Sequence, residues 1–239
     1  MKSKERHHLK QNEFAETTRR AVDTVKDNQK QIVLGAVAAL IVVGGLSGFL
    51  MFRKSRANEA GARLGTAMAI AQSVISPAST LPGATQPPGT YPSETARSEA
   101  ALKAFQEVIA AYPGSPTAIS AKYEAAGELL DLGRPAEAEK LFEEVAASNS
   151  DLYSAVARMG VAQSKVATGQ YDDAVKLLTD LSANRDGALP IDGVLIQLAQ
   201  AYAKAGKTKD ARAAYQRVVD EFSDSSYAFE ARQQLTALN

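Results

Sequence analysis

AGELLDLGRPAEAEKLFEEV, residues 126–145, decides the fold, because its spacing returns twice further along the chain. Ala126, Gly133, Ala138, Phe142 and Val145 recur as Ala162, Gly169, Ala174, Leu178 and Leu181. They recur again as Ala199, Gly206, Ala211, Tyr215 and Val218. Counted from the glycine, the offsets are −7, +5, +9 and +12 in all three copies. Such a pattern reads as a helix hairpin. The small residue before the glycine lets the first helix (A) approach its partner closely. The glycine ends that helix as a residue of positive φ. The second Ala sits where helix B crosses helix A, and the positions at +9 and +12 lie on the buried stripe of helix B.

These five positions resemble the tetratricopeptide repeat: small, Gly, Ala, large apolar or aromatic, apolar. The resemblance covers roughly residues 116–223 and departs from the family in two ways. The glycines stand 36 and 37 residues apart, against the family's ~34, and the extra residues fall in the inter-repeat loops near 148–150 and 184–187. The aromatic expected early in helix A is replaced by Lys122, Arg158 and Leu195.

A half repeat precedes the three copies, with Ala101, Phe105 and Val108 in helix B positions and Pro113 ending it. Upstream, residues 76–97 hold five of the nine prolines, mixed with Gly, Ser and Thr, and read as a flexible loop. The missing helix A is then expected within 53–75, where Leu64, Met68, Ala71 and Ile75 recur at helical spacing. At the other end Tyr227, Ala231, Leu235 and Leu238 form a stripe that closes the stack, with Asp224 or Ser225 as cap.

Residues 32–52 are 21 apolar or small residues in one run, without charge or Pro. As a helix this run crosses a hydrocarbon core of ~30 Å. It is too long for a signal h-region, and Phe52-Arg53-Lys54 ends it without a cleavage site, so a retained anchor is expected. Within it Gly44 and Gly48 make a GxxxG pair of the kind that brings two spans together, which allows a homodimer. Before it, residues 1–31 form a basic tail in which Phe14, Ala21, Val22 and Val25 share one face of an interfacial helix.

Charge divides the chain. Residues 1–56 carry 11 Lys or Arg against 5 acids, and the rest 16 against 22. The basic part suits anionic headgroups, and the acidic part lacks the clustered cations that nucleic acid requires. With no Cys anywhere, thiol catalysis, thiolate zinc sites and disulfides are excluded. Both histidines, His7 and His8, lie in the tail, so the repeat region has no imidazole base. The adjacent carboxylates Glu143-Glu144 and Asp172-Asp173 point about 100° apart on a helix and read as solvated faces. No phosphate-binding glycine loop is present. The expectation is a non-enzyme without cofactor or metal.

The expected architecture is all-α: a single N-terminal transmembrane helix, then a tetratricopeptide-like α-solenoid of about four hairpins plus a C-terminal capping helix. Its segments are 1–31, 32–52, 53–75 (helix A of the first repeat), 76–97 and 98–239. Such a solenoid lines a concave face with helix A side chains and uses it to bind polypeptide. The groove candidates are Tyr123, Leu130 and Asp131, then Met159, Gln163 and Val166, then Ile196, Gln200 and Lys204. Their mixture of apolar and amide groups suits degenerate polypeptide recognition.

Tail, single span and small repeat domain together resemble the ancillary subunit family of the bacterial Sec translocon. That resemblance implies an inner-membrane location, a cytoplasmic N-terminus, periplasmic repeats, and translocon or chaperone partners. Two other readings remain open: an envelope scaffold for outer-membrane biogenesis or cell division, and a repeat protein facing the cytoplasm.

Overall fold

The structure is a computed structural model that describes residues 16, 18, 19, 29–77, 85–184 and 187–238. The interfacial helix expected around Phe14, Ala21, Val22 and Val25, and both histidines, lie outside the described residues. Helix α1 spans Gln29–Ala71. The chain divides into two compact units, Met1–Ala57 and Asn58–Asn239.

In the first unit the apolar run is helical and bare. Leu34, Leu40, Ile41, Met51 and Phe52 are all exposed, so no protein core accounts for them. Among the described residues, one helix is long and apolar enough to cross a membrane. At the end of the run the Arg53 guanidinium lies 5.8 Å from the centre of the Phe49 ring, a cation–π arrangement.

The second unit begins with residues 58–71 of α1 and continues through α2 (Glu94–Ala111), α3 (Pro116–Asp131), α4 (Pro135–Ala146), α5 (Asp151–Ala167), α6 (Tyr171–Ala183), α7 (Ile191–Lys204), α8 (Thr208–Glu221) and α9 (Tyr227–Ala237). Among the described residues the one β-type pairing is an isolated bridge. Successive helices pack as antiparallel neighbours, giving hairpins α3–α4, α5–α6 and α7–α8.

Three turns close these hairpins in the same way. Gly133, Gly169 and Gly206 have φ of 68°, 80° and 74°. The amide after each glycine reaches back five residues: Arg134 donates to the Leu129 carbonyl, Gln170 to Lys165 and Lys207 to Tyr202, at 2.8, 2.8 and 2.9 Å. This is the Schellman arrangement, which satisfies carbonyls that the helix end leaves open. A side chain is disfavoured at this φ, so Gly169→Ala is expected to cost ~1–2 kcal/mol. Gly127→Ala, in mid-helix with open space around it, should instead gain up to ~1 kcal/mol. Thermal unfolding of the full chain in detergent checks both signs.

The six repeat alanines, Ala126, Ala138, Ala162, Ala174, Ala199 and Ala211, are each 0% exposed. Phe142, Leu178 and Tyr215, with Val145, Leu181 and Val218, fill the space beside them. Each such large side chain contributes ~1.5–3 kcal/mol through removal from water.

The first hairpin keeps part of the stripe read from the sequence, since Leu64 and Ala71 pack half-buried against the core. Ala60 and Ala67 of α1 are buried in one cluster with Ala101, Phe105 and Val108, while Met68 is 36% exposed. Small residues, not Met68, occupy the close approach. The helix also stops at Ala71, and Ile75 instead pairs with Tyr91 in the isolated bridge. The Ser76 amide donates to the Tyr91 carbonyl at 2.8 Å, and Gln86 donates to the Ser76 carbonyl at 2.8 Å. Helix α2 begins at Glu94, inside the segment read as loop, because the Ser93 hydroxyl accepts the Ala96 amide at 3.1 Å. At the far end Ala228 and Ala231 of α9 are buried, and the Ser225 hydroxyl accepts the Tyr227 amide at 3.1 Å.

Candidate functional site

Helices α3, α5, α7 and α9 form a row in which each touches the next. Helices α2, α4, α6 and α8 form a second row whose members do not meet one another, among the described residues. A stack closer along one row than the other curves towards the closer row. The inner face therefore belongs to α3, α5, α7 and α9.

Aromatic packing sets the start of this face. The Tyr123 ring meets Phe142 edge-on at 5.6 Å and Tyr153 at 6.0 Å. Phe142 fits because α5 has a glycine where it crosses: a Cβ on Gly160 would stand 2.6 Å from the ring. The repeat pattern did not reveal Gly160, since its position carries Glu124 and Gln197 in the other copies.

The candidate residues fall into three groups. Tyr123, Leu130, Met159 and Val166 are half-buried and pack against the core while keeping part of their surface open. Asp131, Gln163, Gln200 and Lys204 are exposed. Ile196 is 3% exposed and serves the core, because this copy of the pattern turns its apolar face fully inward. The Gln200 amide donates to Glu230 at 2.9 Å, which ties α7 to α9 within the inner row. Gly44 and Gly48 lie on the bare apolar helix with open space where a Cβ would stand.

Ionic groups mostly serve structure. Lys122 pairs with Glu144 across the α3–α4 hairpin at 2.5 Å, and Lys165 of α5 pairs with Glu139 of α4 at 2.6 Å. Lys207 pairs with Asp172 at 2.6 Å. One member of each adjacent carboxylate pair is thus engaged by a lysine. No group of three or more potential metal ligands exists among the described residues.

Two carboxyls behave differently. Burial pushes Glu124 above the ordinary carboxylate range. Burial does the same to Glu128, opposed by the hydroxyl of buried Ser98 and reinforced by Asp131. The Glu128 Oε2 and the Arg97 Nε are buried without a hydrogen-bond partner. A carboxyl with a raised folded pKa opposes folding once ionised. Below the unfolded range of ~4.3 that penalty is absent, and it grows as pH rises through the folded value. Glu128→Gln is therefore expected to raise the unfolding midpoint at pH ~7 and leave it nearly unchanged at pH ~3, where the carboxyl is protonated in both the folded and the unfolded chain.

Residues 25–239 match a family described as the tetratricopeptide repeat-like domain, and the chain belongs to that family. Repeats of this kind are protein-interaction scaffolds. Among solved structures, the TPR-like repeats of a kinesin light chain from Podosopora anserina are 21% identical, with a TM-score of 0.51 over 59% of this chain and 77% of that one. MamA, at 16% identity, gives a TM-score of 0.47 over 59% of this chain and 77% of that one. YrrB, described as a TPR protein with an unusual peptide-binding site, gives 0.47 at 16% identity over 57% and 66%. The kinesin light chain likeness establishes the fold alone. No curated protein matches the chain.

Proposed function

We propose that this protein is a non-catalytic adaptor, tethered to the bacterial inner membrane by residues 32–52, whose repeats bind extended polypeptide along the inner row of helices. The observation that carries this reading is the open surface kept by Tyr123, Leu130, Met159 and Val166 beside exposed Gln163. Apolar patches flanked by amides hold a peptide backbone without demanding one sequence. The basic tail favours a cytoplasmic N-terminus and periplasmic repeats. The combination of tail, span and small repeat domain favours a role beside the Sec translocon and periplasmic chaperones. A second copy would meet the first through Gly44 and Gly48.

Two measurements test this. Alkaline phosphatase fused after Asn239 should be active, and an inactive fusion rejects the orientation. A photocrosslinker placed at Gln163 should capture translocon or chaperone components. Capture of division or outer-membrane assembly proteins would replace that role with a scaffold of the envelope.

A further inference from the structure

The bare apolar run on α1 ends abruptly in positive charge. Phe49, Leu50, Met51 and Phe52 are all exposed. Arg53, Lys54 and Arg56 follow at once on the same continuous helix, and they are exposed as well. No carboxylate stands in the chain between Asp27 and Glu59, and Glu59 is engaged by Arg63 at 2.9 Å. The helix therefore passes from uncharged to cationic within one residue.

Two independent features meet at this border. The first is apolar surface that no protein core covers, which suits hydrocarbon. The second is the placement of the Arg53 guanidinium, turned back over the Phe49 ring at 5.8 Å, one turn into the apolar run. Its methylene stem can lie along apolar surface while the charge stays at the edge. Phe49, Phe52, Arg53 and Arg56 stand at i, i+3, i+4 and i+7, so rings and guanidiniums share one face. Along the axis Arg53 and Arg56 differ by ~4.5 Å, less than the ~5–7 Å depth of one headgroup layer. Lys54 stands about 100° round the helix and adds to the local field.

We infer that Arg53 and Arg56, helped by Lys54, bind the phosphate of an anionic phospholipid whose acyl chains lie against Phe49 and Phe52. This rests on the membrane tether proposed above and names the lipid that the tether selects. A guanidinium fork matches phosphate oxygens in pairs, and two forks one turn apart can hold one phosphate between them. A zwitterionic headgroup brings its own cation to the same place and loses part of that attraction. A net anionic headgroup keeps all of it.

The test uses the full chain in a neutral detergent with phosphatidylglycerol or phosphatidylcholine of equal chain length, and native mass spectrometry of the lipid retained. Phosphatidylglycerol should bind about tenfold tighter than phosphatidylcholine. Arg53→Gln combined with Arg56→Gln should reduce that preference to less than about threefold. Lys103→Gln combined with Lys140→Gln, on α2 and α4, should leave it unchanged. Glycerol phosphate in tenfold excess should not displace the lipid, because it has no chains to lie against the rings. Displacement would reassign the site to free phosphate and overturn the inference. Equal binding of the two lipids overturns it too, as does a preference that survives the first pair and falls with Arg19→Gln and Lys30→Gln. The tether is checked separately with phosphatidylcholine vesicles washed in alkaline carbonate. A chain that stays in the vesicles but shows no headgroup preference keeps the tether and loses this inference, whereas a chain that washes off loses the tether itself.

Discussion

Phe142→Ala is expected to destabilise the repeat unit by ~3–5 kcal/mol, the usual range for a buried phenylalanine. The ring is 3% exposed and lies between α4 and α5, edge-on to Tyr123 and directly beneath Gly160. Its removal costs the transfer of the ring, the edge contact and the void left behind. In a unit of this size that corresponds to a drop of roughly 10 °C in thermal midpoint. The partner substitution is as informative. Gly160→Ala gains up to ~1 kcal/mol of helix propensity but drives a methyl group into the ring, which overpacks the crossing by ~1–3 kcal/mol. Gly160→Ala should therefore destabilise the wild-type background and become harmless or stabilising once Phe142 is Ala. A double-mutant cycle that shows no coupling between the two would contradict the packing described here.

The second large effect belongs to the hairpin crossings. Ala174→Trp and Ala211→Trp each place an indole where the side chain is now fully buried against the opposite helix. The crossing helix cannot recede without straining the turn at Gly169 or Gly206, where the Gln170 and Lys207 amides are held by the Lys165 and Tyr202 carbonyls. The expected cost is at least ~1–3 kcal/mol, and with a side chain of this size one hairpin should open. Circular dichroism would register lost helix and a lower midpoint. An unchanged midpoint would mean that the repeat register is misplaced.

Much of the fold was legible because its determinants are local. Glycine at a left-handed turn and alanine at a crossing are choices that few other residues can replace, and they recur at fixed offsets. The first hairpin was harder. Its two helices are separated by a Pro-rich segment and no glycine marks the end of the first, so a stripe through Leu64 and Ala71 takes in the exposed Met68 and misses Ala60 and Ala67. The exposure of the groove candidates was legible in part. Exposed Gln163, Gln200 and Lys204 follow from helical phase, but Ile196 turned inward because nothing in a single repeat says how deeply its neighbours will cover it.

The contrast between touching inner helices and separated outer ones has a mechanical result. Among the described residues, bending that spreads the outer row parts no contact between its members, so the stack resists that bend less than one that parts the inner row. Tension applied across the repeat unit would peel the helices away from its carboxyl end, α9 first. The repeat unit would yield in steps, with its first hairpin the last to let go.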